Sequence, residues 1–451
     1  MPRFRSDRRR FLSATGVAFA ALVASGCRTG SAAGAAGALR SGPTSGRAAG
    51  YGALRPDPEG LLDLPEGFSY RILSRLGDAM DDGGTVPDRA DGMGAFDLGN
   101  GEIALVRNHE LQPEHDAGGR IARGFGMRNG EFVPGGTTTI VLDAETLAVK
   151  RQFRSLGGTI RNCAGGVTPW GTWLSCEEAP TGPGQKYGEG LARNHGWVFE
   201  VPARASGLVD PVPLTAMGRF NHEAACVDPA TGFVYMTEDR DDSVLYRFVP
   251  RVPGDLVKGG RLQAMALEGL ADTSNWNGAA MAVGRGYDVR WIDLDDVEAP
   301  ADDLRGRAAA GGAALIARGE GLHMGEGEMF ACATSGGARG LGQVFRLAPG
   351  RSDRPDRFEL FFESESADQF NYGDNLCVAP NGHLIVCEDQ YTDVVDNHLR
   401  GIAPDGRPYD FARLRTQTEL AGACYSPDGK WLFVNAYRPT LTLAITGPWA
   451  S

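Results

Sequence analysis

Residues 381–389 read NGHLIVCED, which is a turn containing glycine, a short apolar strand, and two acidic residues where the strand ends. The same order of features occurs six times along the chain. A unit that recurs in this way is typical of a repeat fold, in which each copy is one supersecondary element. The other five copies are residues 100–110 (NGEIALVRNHE), 170–178 (WGTWLSCEE), 231–239 (TGFVYMTED), 327–335 (GEMFACATS) and 428–436 (DGKWLFVNA).

Further strands follow several of these copies, and helical patterns are few. The chain contains 64 glycines, many of them in turn pairs, so the body is predicted to be all-β. Six such units predict a β-propeller of about six blades. A β-sandwich is the structural alternative, but it does not explain why turn, strand and acidic end recur in one order. The strands that fit the third position of a blade are residues 197–201 (WVFEV), 244–248 (VLYRF) and 343–347 (QVFRL).

The repeat also predicts where the acidic residues meet. The innermost strand of a blade lines the channel and the second strand returns antiparallel beside it, so the start of one and the end of the other share a face. The predicted inner-strand starts are Asp91, Asn162, Cys163, Asn221–Glu223, Glu326, Asp374, Asn375, Ala421 and Gly422. The predicted second-strand ends are Asn108–Glu110, Glu177, Glu178, Glu238, Asp239, Glu388 and Asp389.

Acids gathered in this way indicate a metal site at the mouth of the channel. Closely packed carboxylates repel one another and hold protons unless cations lie among them. Many oxygens with one thiolate favour hard cations such as Ca²⁺, with a softer or redox metal near the sulfur. A single acid at a strand end more often caps a turn or faces water, so the prediction depends on the recurrence. The predicted ligands are Cys163, Glu223, Glu326, Asp374, Glu178, Glu238, Glu388, Asp91 and Glu110.

The N-terminus is predicted to be a targeting segment, residues 1–27. Three arginines at 8–10 precede Phe11 and Leu12, and the apolar run that follows is too short to span a bilayer. This order is of the twin-arginine type, and an ordinary secretory signal is the alternative. Residues 22–27 (LVASGC) resemble a lipoprotein signal box, in which Cys27 would be lipidated; ordinary cleavage remains the alternative. Residues 28–55 are predicted to be a flexible linker, and residues 56–451 the propeller.

The charge balance excludes nucleic acid as an expected partner. The chain has a net charge of −12, and without the basic residues 1–27 the exported body carries −16. This excess suits a protein that holds cations, although a solubilising surface would explain it equally well. The 8 cysteines are scattered and mostly lie in apolar stretches, so no disulfide is assigned. The expected partner is a small phosphate ester, the body is expected to be monomeric, and Cys27 is a candidate lipid anchor, with ordinary cleavage as the alternative.

Three segments are similar to the PhoX-like family of alkaline phosphatases, and the similarity spans essentially all of the body after Tyr51. They are residues 161–178 (beginning RNCAGGVTPWGTW), residues 218–240 (beginning GRFNHEAA) and the C-terminal residues 433–449. The resemblance implies a six-bladed propeller, twin-arginine export, Ca²⁺ and Fe³⁺ ions, and hydrolysis of phosphate monoesters. It implies an iron-binding role for Cys163 and metal-binding roles for Glu223 and Glu326.

One residue departs from the family pattern. The larger phosphatases carry a phosphate-binding arginine two positions before their last glutamate, and in this sequence Met324 holds that place before Glu326. Loss of a bidentate, always-charged guanidinium would weaken phosphate binding. Arg438 follows a second strand and is a candidate substitute, with a surface arginine as the alternative. The predicted catalytic residues are therefore Glu223, Glu326 and Arg438.

Two other functions remain open at this point. One is a Ca²⁺-dependent propeller hydrolase of lactones or other esters, which would also use a channel lined by carboxylates. The other is a non-catalytic propeller in which the metal ions stabilise the fold and the faces bind partners. Residues 252–313 form either a lid or an irregular blade.

Overall fold

The computed structural model describes residues 50–351, 354–390 and 394–449. The predicted signal peptide, Cys27 and the linker up to residue 49 lie outside the described residues. The described chain is almost entirely β-structure, with the short α-helix α1 (Leu304–Ala310) and two 3₁₀ turns at Thr215–Met217 and Leu256–Lys258. Within the described ranges, none of the helices has the length and apolar composition needed to cross a bilayer.

The strands form antiparallel units in which an inner strand leads through a tight turn into a second strand. The turn glycine that was predicted from the repeat has φ between 70° and 84° in all six copies. This left-handed conformation is accessible to glycine at little cost, which explains why the repeat keeps a glycine there.

The first half of the chain contains three N-terminal strands and three blades. The N-terminal strands are β1 (Leu54–Arg55), β2 (Leu62–Pro65) and β3 (Ser69–Arg75). Blade 1 runs through β4 (Ala90–Asp97), β5 (Glu102–His109), a small hairpin β6 (Met127–Arg128) and β7 (Glu131–Phe132), β8 (Gly135–Asp143) and β9 (Val149–Thr159). Blade 2 has β10 (Asn162–Val167), β11 (Thr172–Glu177) and β12 (Val198–Pro202). Blade 3 has β13 (His222–Val227), β14 (Val234–Glu238), β16 (Tyr246–Pro250) and β17 (Gly260–Leu267), and the short β15 (Ser243–Val244) lies between β14 and β16 in the chain but outside this sheet.

The second half contains a linking strand and three more blades. The linking strand is β18 (Gly286–Asp293), and the short β19 (Leu315–Ile316) pairs with β15. Blade 4 has β20 (Gly319–Met324), β21 (Met329–Ala333), β22 (Gln343–Ala348) and β23 (Arg357–Glu363). Blade 5 has β24 (Gly373–Val378), β25 (Leu384–Glu388), β26 (His398–Ile402) and β27 (Pro408–Leu414), and blade 6 has β28 (Leu420–Tyr425), β29 (Leu432–Ala436) and β30 (Leu441–Thr446).

The six inner strands form a ring around a central channel. Each of β4, β10, β13, β20, β24 and β28 contacts the next, and β28 contacts β4 again. Apolar side chains from adjoining blades form the core, for example Leu174 and Val234 between blades 2 and 3. The predicted β-propeller is confirmed.

The two ends of the described chain close the ring. β3 pairs with β30 and becomes the outer strand of blade 6, while β2 pairs with β27 and β1 pairs with β2 at the edge of blade 5. Tyr51 packs against Phe68 and Trp449. Residues 50–55 therefore belong to the propeller, and the predicted boundary at residue 55 moves towards the N-terminus.

Residues 252–313 are neither a lid nor a separate blade. β17 completes blade 3, and β18 then joins the outer edge of blade 3 to β23 of blade 4. The helix α1 buries Leu304 and Ala308 in the apolar cluster between blades 2 and 3. The segment is thus a brace between neighbouring blades.

Candidate metal centre

Each inner strand begins with a β-bulge next to the channel. In blade 3, His222 pairs with Glu238 and Ala225 pairs with Met236. Two residues of β13 therefore lie opposite one residue of β14, which is the extra residue of a bulge. Bulges re-aim a side chain and recur beside functional sites. The first residues of the six bulges, called the channel ring below, are Asp91, Cys163, Glu223, Glu320, Asp374 and Gly422.

A second set of acids follows the second strands. In four blades the residue immediately after that strand is acidic: Glu110, Glu178, Asp239 and Asp389. Blade 6 differs, because its channel-ring position is a glycine, and a Cβ added to Gly422 would lie 2.3 Å from the carbonyl oxygen of Asp91. A carboxylate from the preceding loop, Glu419, supplies the acid on this side of the channel.

These residues bring possible ligand atoms into three linked groups. Within each group the atoms lie within 4.8 Å of one another. Glu223 belongs to the first two groups and Asp374 to the last two, so the groups form a continuous row across the mouth. The groups are Cys163, Glu178 and Glu223; Glu223, Glu320 and Asp374; and Asp374, Asp389 and Glu419.

The thiol of Cys163 lies among carboxylates. Its sulfur is 3.1 Å from Oε1 of Glu223 and 3.7 Å from Oδ2 of Asp91. Burial, followed by the negative charges of Asp91 and Glu223, raises the pKa of the thiol well above its ordinary value. A cation among these groups would reverse that effect, because it stabilises the thiolate and the carboxylates together.

Without a cation, the carboxyl groups of the row hold their protons. Burial raises the pKa of Glu178 to about 8 although Arg161 lowers it, and burial together with the charge of Asp389 raises the pKa of Asp374 to about 7. Burial also raises the pKa of Glu223 and of Glu320 well above the ordinary range, with neighbouring carboxylates adding to it. Ionising these carboxyl groups would place negative charges close together, and bound cations would compensate that repulsion.

Several buried carboxylate oxygens in the site have no hydrogen-bond partner among the described residues. They are Oδ1 of Asp91, Oε2 of Glu223 and Oδ1 of Asp389. Buried polar atoms without partners are rare, and a bound ion is a common reason for them. The donor set of many carboxylates and one thiol therefore fits a centre that holds several metal ions.

Two arginines flank the row. Arg161 donates to Glu110 at 2.7 Å and to Glu178 at 2.6 Å, and Arg318 donates to Asp239 and to Glu320, each at 2.7 Å. Both arginines immediately precede an inner strand and have positive φ, 48° and 53°. Such a conformation is uncommon outside glycine and persists where the surroundings enforce it. Both side chains are about 30% exposed at the mouth, at 31% and 28%.

The predicted placement of Glu326 is wrong. β20 ends at Met324, so Glu326 lies exposed in the turn between β20 and β21, at the opposite end of the channel from the acids. An inner strand needs several residues before its turn, and Glu326 directly precedes the turn glycine. The glutamate of the channel ring in blade 4 is Glu320, and two positions before it stands Arg318. The family spacing therefore falls on an arginine rather than on Met324.

Glu238 and Glu388 also lie outside the row, although both are buried. Glu238 accepts from the hydroxyl of Tyr246 at 2.7 Å, and Glu388 accepts from Arg400 at 2.7 Å. Each is the last residue of its strand, where alternation directs the side chain into the blade and the next residue towards the channel. Their neighbours Asp239 and Asp389 face the mouth instead, and the same alternation turns Glu177 away and Glu178 inward.

The remaining predicted residues lie at the margin of the site. Asp91 approaches the thiol, and Glu110 accepts from Arg161 and from the hydroxyl of Tyr437 but belongs to none of the three groups. The Arg438 side chain is 64% exposed, and its Nε lies 3.7 Å from Asp88. Two acids of the site were not predicted from the repeat. One is Glu320, for which the sequence indicated Glu326 instead, and the other is Glu419, which lies in a loop.

Comparison with known proteins identifies a family. A family model described as alkaline phosphatase PhoX matches residues 49–151 and 141–440. No curated protein sequence matches the chain.

Solved structures match the propeller. PhoX of Pseudomonas fluorescens, in complex with vanadate, a transition-state analogue, superposes with a TM-score of 0.67; it is 19% identical, and the match covers 86% of this chain and 96% of that one. XC5397 of Xanthomonas campestris, a gluconolactonase, is 16% identical, with a TM-score of 0.38 over 88% of this chain and 98% of that one. The first match supports the fold, whereas the second is too loose to support an argument.

Proposed function

Because the chain belongs to the PhoX alkaline phosphatase family, we propose that it hydrolyses phosphate monoesters at a multi-metal site in the mouth of its channel. The observation that carries the proposal is the row of three linked ligand groups with Arg318 beside it. A row of buried acids alone would fit a structural cation site. An arginine at its edge adds a donor for a substrate anion.

The residues divide into two kinds of metal ligand. The carboxylates shared along the row, Glu223, Glu320 and Asp374, suit hard cations, and we assign Ca²⁺ to them. Cys163 supplies a thiolate, and with Glu223 it would hold an iron ion, Fe³⁺ by resemblance to the family. Glu178, Asp389 and Glu419 complete the outer groups.

The metal ions, when bound, would neutralise the phosphate oxygens and lower the pKa of a coordinated water. The chain itself supplies the orientation. Arg318 keeps its Nε and Nη2 on Asp239 and Glu320, which holds the guanidinium at the mouth, and its Nη1 donates to no acceptor in the described chain. A guanidinium fixed in this way presents donors to a phosphate without having to be ordered on binding.

The experiment compares metal content with phosphatase activity. We expect wild-type protein, secreted by its own export route, to contain calcium and iron and to cleave p-nitrophenyl phosphate. The Cys163→Ala variant should lose iron, because its thiolate is the one soft donor in the row. Arg318→Gln should retain the metals but lower kcat/KM by roughly 10²- to 10³-fold, the loss typical of one preorganised donor to a developing oxyanion.

Met324→Leu is the matched control, since Met324 lies at the other end of β20, and its activity should equal that of the wild type. Calcium without iron, together with no phosphate release, would contradict the proposal. A lactone-hydrolysing propeller or a binding propeller would then be the better account, and lactone substrates would separate the two.

We also propose that residues 1–27 direct export by the twin-arginine route, which delivers folded proteins and would allow the metals to be bound first. The supporting pattern is the three arginines at 8–10 followed by Phe11 and Leu12. Replacing Arg8, Arg9 and Arg10 by lysine should leave the protein in the cytoplasm. Normal export of that variant would favour the ordinary secretory route, and mass spectrometry of the mature N-terminus would show whether Cys27 is lipidated.

A further inference from the structure

One side of the mouth is basic although the channel is acidic. Arg89 immediately precedes the inner strand β4 of blade 1, at the position that Arg161 and Arg318 occupy in their blades, and it shares their positive φ at 57°. Those two arginines are neutralised by two acids each. Arg89 forms no ion pair with any residue in the described part of the chain. It contacts Tyr437 instead, through a hydrogen bond of 2.9 Å from Nη1 to the hydroxyl and through the ring of the same tyrosine.

Two more basic side chains adjoin Arg89. Burial and then the charge of Arg89 lower the pKa of His115, the carboxylates of Glu114 and Glu110 raise it, and Arg438 lowers it by a smaller effect. Its Nδ1 accepts from the backbone amide of Gln112 at 3.0 Å, so the neutral ring carries its proton on Nε2 and can donate it. Arg438 extends from the end of blade 6. These three residues, Arg89, His115 and Arg438, are called the basic rim below.

The basic rim adjoins the metal row. The hydroxyl of Tyr437 links Arg89 to Glu110, and Glu110 is bound in turn by Arg161. Three acids near the rim have partners of their own: Glu110 accepts from Tyr437 and Arg161, Glu114 lies 3.9 Å from Arg128, and Asp88 accepts from the backbone amide of Thr440 and lies 3.7 Å from Arg438. Asp88 therefore partly neutralises Arg438, whereas Arg89 offers an incoming anion a guanidinium that forms no ion pair with any carboxylate of the described chain.

We propose that the basic rim binds a second anionic group of the substrate, a carboxylate or a further phosphate, while the metal row holds the ester phosphate. This inference rests on the proposed function and names its substrate class: phosphate esters that carry another negative charge. A charge-assisted hydrogen bond from a partly buried guanidinium is stronger than a neutral one, and Arg89 is held by its tyrosine contact before the substrate arrives.

The test measures binding of phosphonates that cannot be hydrolysed. Calorimetry compares propylphosphonate with 3-phosphonopropanoate, and hexylphosphonate with 6-phosphonohexanoate, on the metal-loaded, full-length protein. The members of each pair differ in one carboxylate. The wild type should bind at least one carboxylate-bearing member roughly tenfold more tightly, in line with one charged hydrogen bond.

Variants show whether the rim is responsible. Arg89→Gln should bring that affinity ratio close to one, and Arg89→Lys should keep much of it because the charge remains. Arg261→Gln, in an exposed arginine on the outer strand β17, is the matched control and should keep the full ratio. Equal affinities within both pairs for the wild type, or an unchanged ratio in Arg89→Gln, would overturn the inference. Neither result depends on turnover, so absence of phosphate release would count against the proposed function alone.

Discussion

The sharpest prediction concerns Asp374, the carboxylate shared by two of the three ligand groups. Replacing it by asparagine keeps its shape and its ability to accept from Asn375 at 2.9 Å, but removes the charge. The change should act in opposite directions on the metal-free and the metal-loaded protein. It should stabilise the first, because a repelled charge disappears, and weaken the second, because two metal ions lose a ligand.

The magnitude follows from the pKa. Burial and Asp389 raise the pKa of Asp374 to about 7 in the folded, metal-free protein, while in the unfolded chain it returns to its ordinary value near 4. Since the folded state holds the proton more tightly, its contribution to stability is present at low pH and is lost as the pH rises from about 4 to about 7. The loss is about 1.4 kcal/mol per pH unit, or about 4 kcal/mol in full as an upper bound.

Thermal unfolding of chelator-treated protein measures this effect. Between pH 4 and pH 7 the melting temperature of the wild type should fall relative to that of Asp374→Asn, and above pH 7 the difference should stay constant. With calcium and iron restored, the order should reverse, and the variant should contain less metal. Asp368→Asn, the same change at an exposed position, should follow the wild type throughout. A chelated Asp374→Asn that is less stable than the wild type at pH 8 would refute the reasoning.

Three further predictions test where individual residues lie in the blades. Glu320→Gln should lower metal content while Glu326→Gln leaves it unchanged, because only the former lies in the channel; elemental analysis of both proteins decides the matter. Glu388→Gln should cost about 2 kcal/mol in denaturant unfolding, because it removes one of the two carboxylates that pair with the buried Arg400 and weakens a charged hydrogen bond, yet retain the metals. Asp389→Asn should show the opposite pattern, and equal behaviour of the two would contradict the assigned strand alternation. Gly422→Ala should cost about 2 kcal/mol or more, because the added methyl group meets the backbone of blade 1 at a positive φ; an unchanged melting temperature would contradict that contact.

The repeat was sufficient to predict the propeller and the placement of several ligands. The turn, the apolar strand and the polar strand end recur because every blade packs its apolar strands against its neighbours in the same way. The position of a residue in one copy therefore predicts the position of its counterparts in the others. Cys163, Glu223 and Asp374 were identified because they begin inner strands. The sequence did not show which of two adjacent acids faces the channel, because that depends on which of them follows the last paired residue of the strand. Glu388 and Asp389 are alike in sequence, yet a single step of alternation separates an internal ion pair from the channel.

Two ligands were missed for a different reason. The inner strand of blade 4 is rich in glycine, and its turn contains an acid, so Glu326 resembled a strand start while Glu320 did not. Glu419 lies in a loop before blade 6, where the repeat has a glycine in the channel ring. Glu419 takes the place of the side chain that Gly422 lacks, and it does not lie at a repeated position of the sequence. Only the three-dimensional structure shows that it lies in the channel.

The pairing of β3 with β30 sets the order of events during synthesis. Residues 69–75 are made before the first blade, but their partner strand at 441–446 leaves the ribosome only after all six inner strands have been made. Joining ends so far apart carries a large loop-closure cost and makes folding slow. The same seam places the amide of Asn435 on the carbonyl of Asp91, so the last blade fixes the start of the first. A nascent chain that lacks β30 therefore cannot close the ring, and we expect the row of metal ligands to be completed only after the sixth blade has been made.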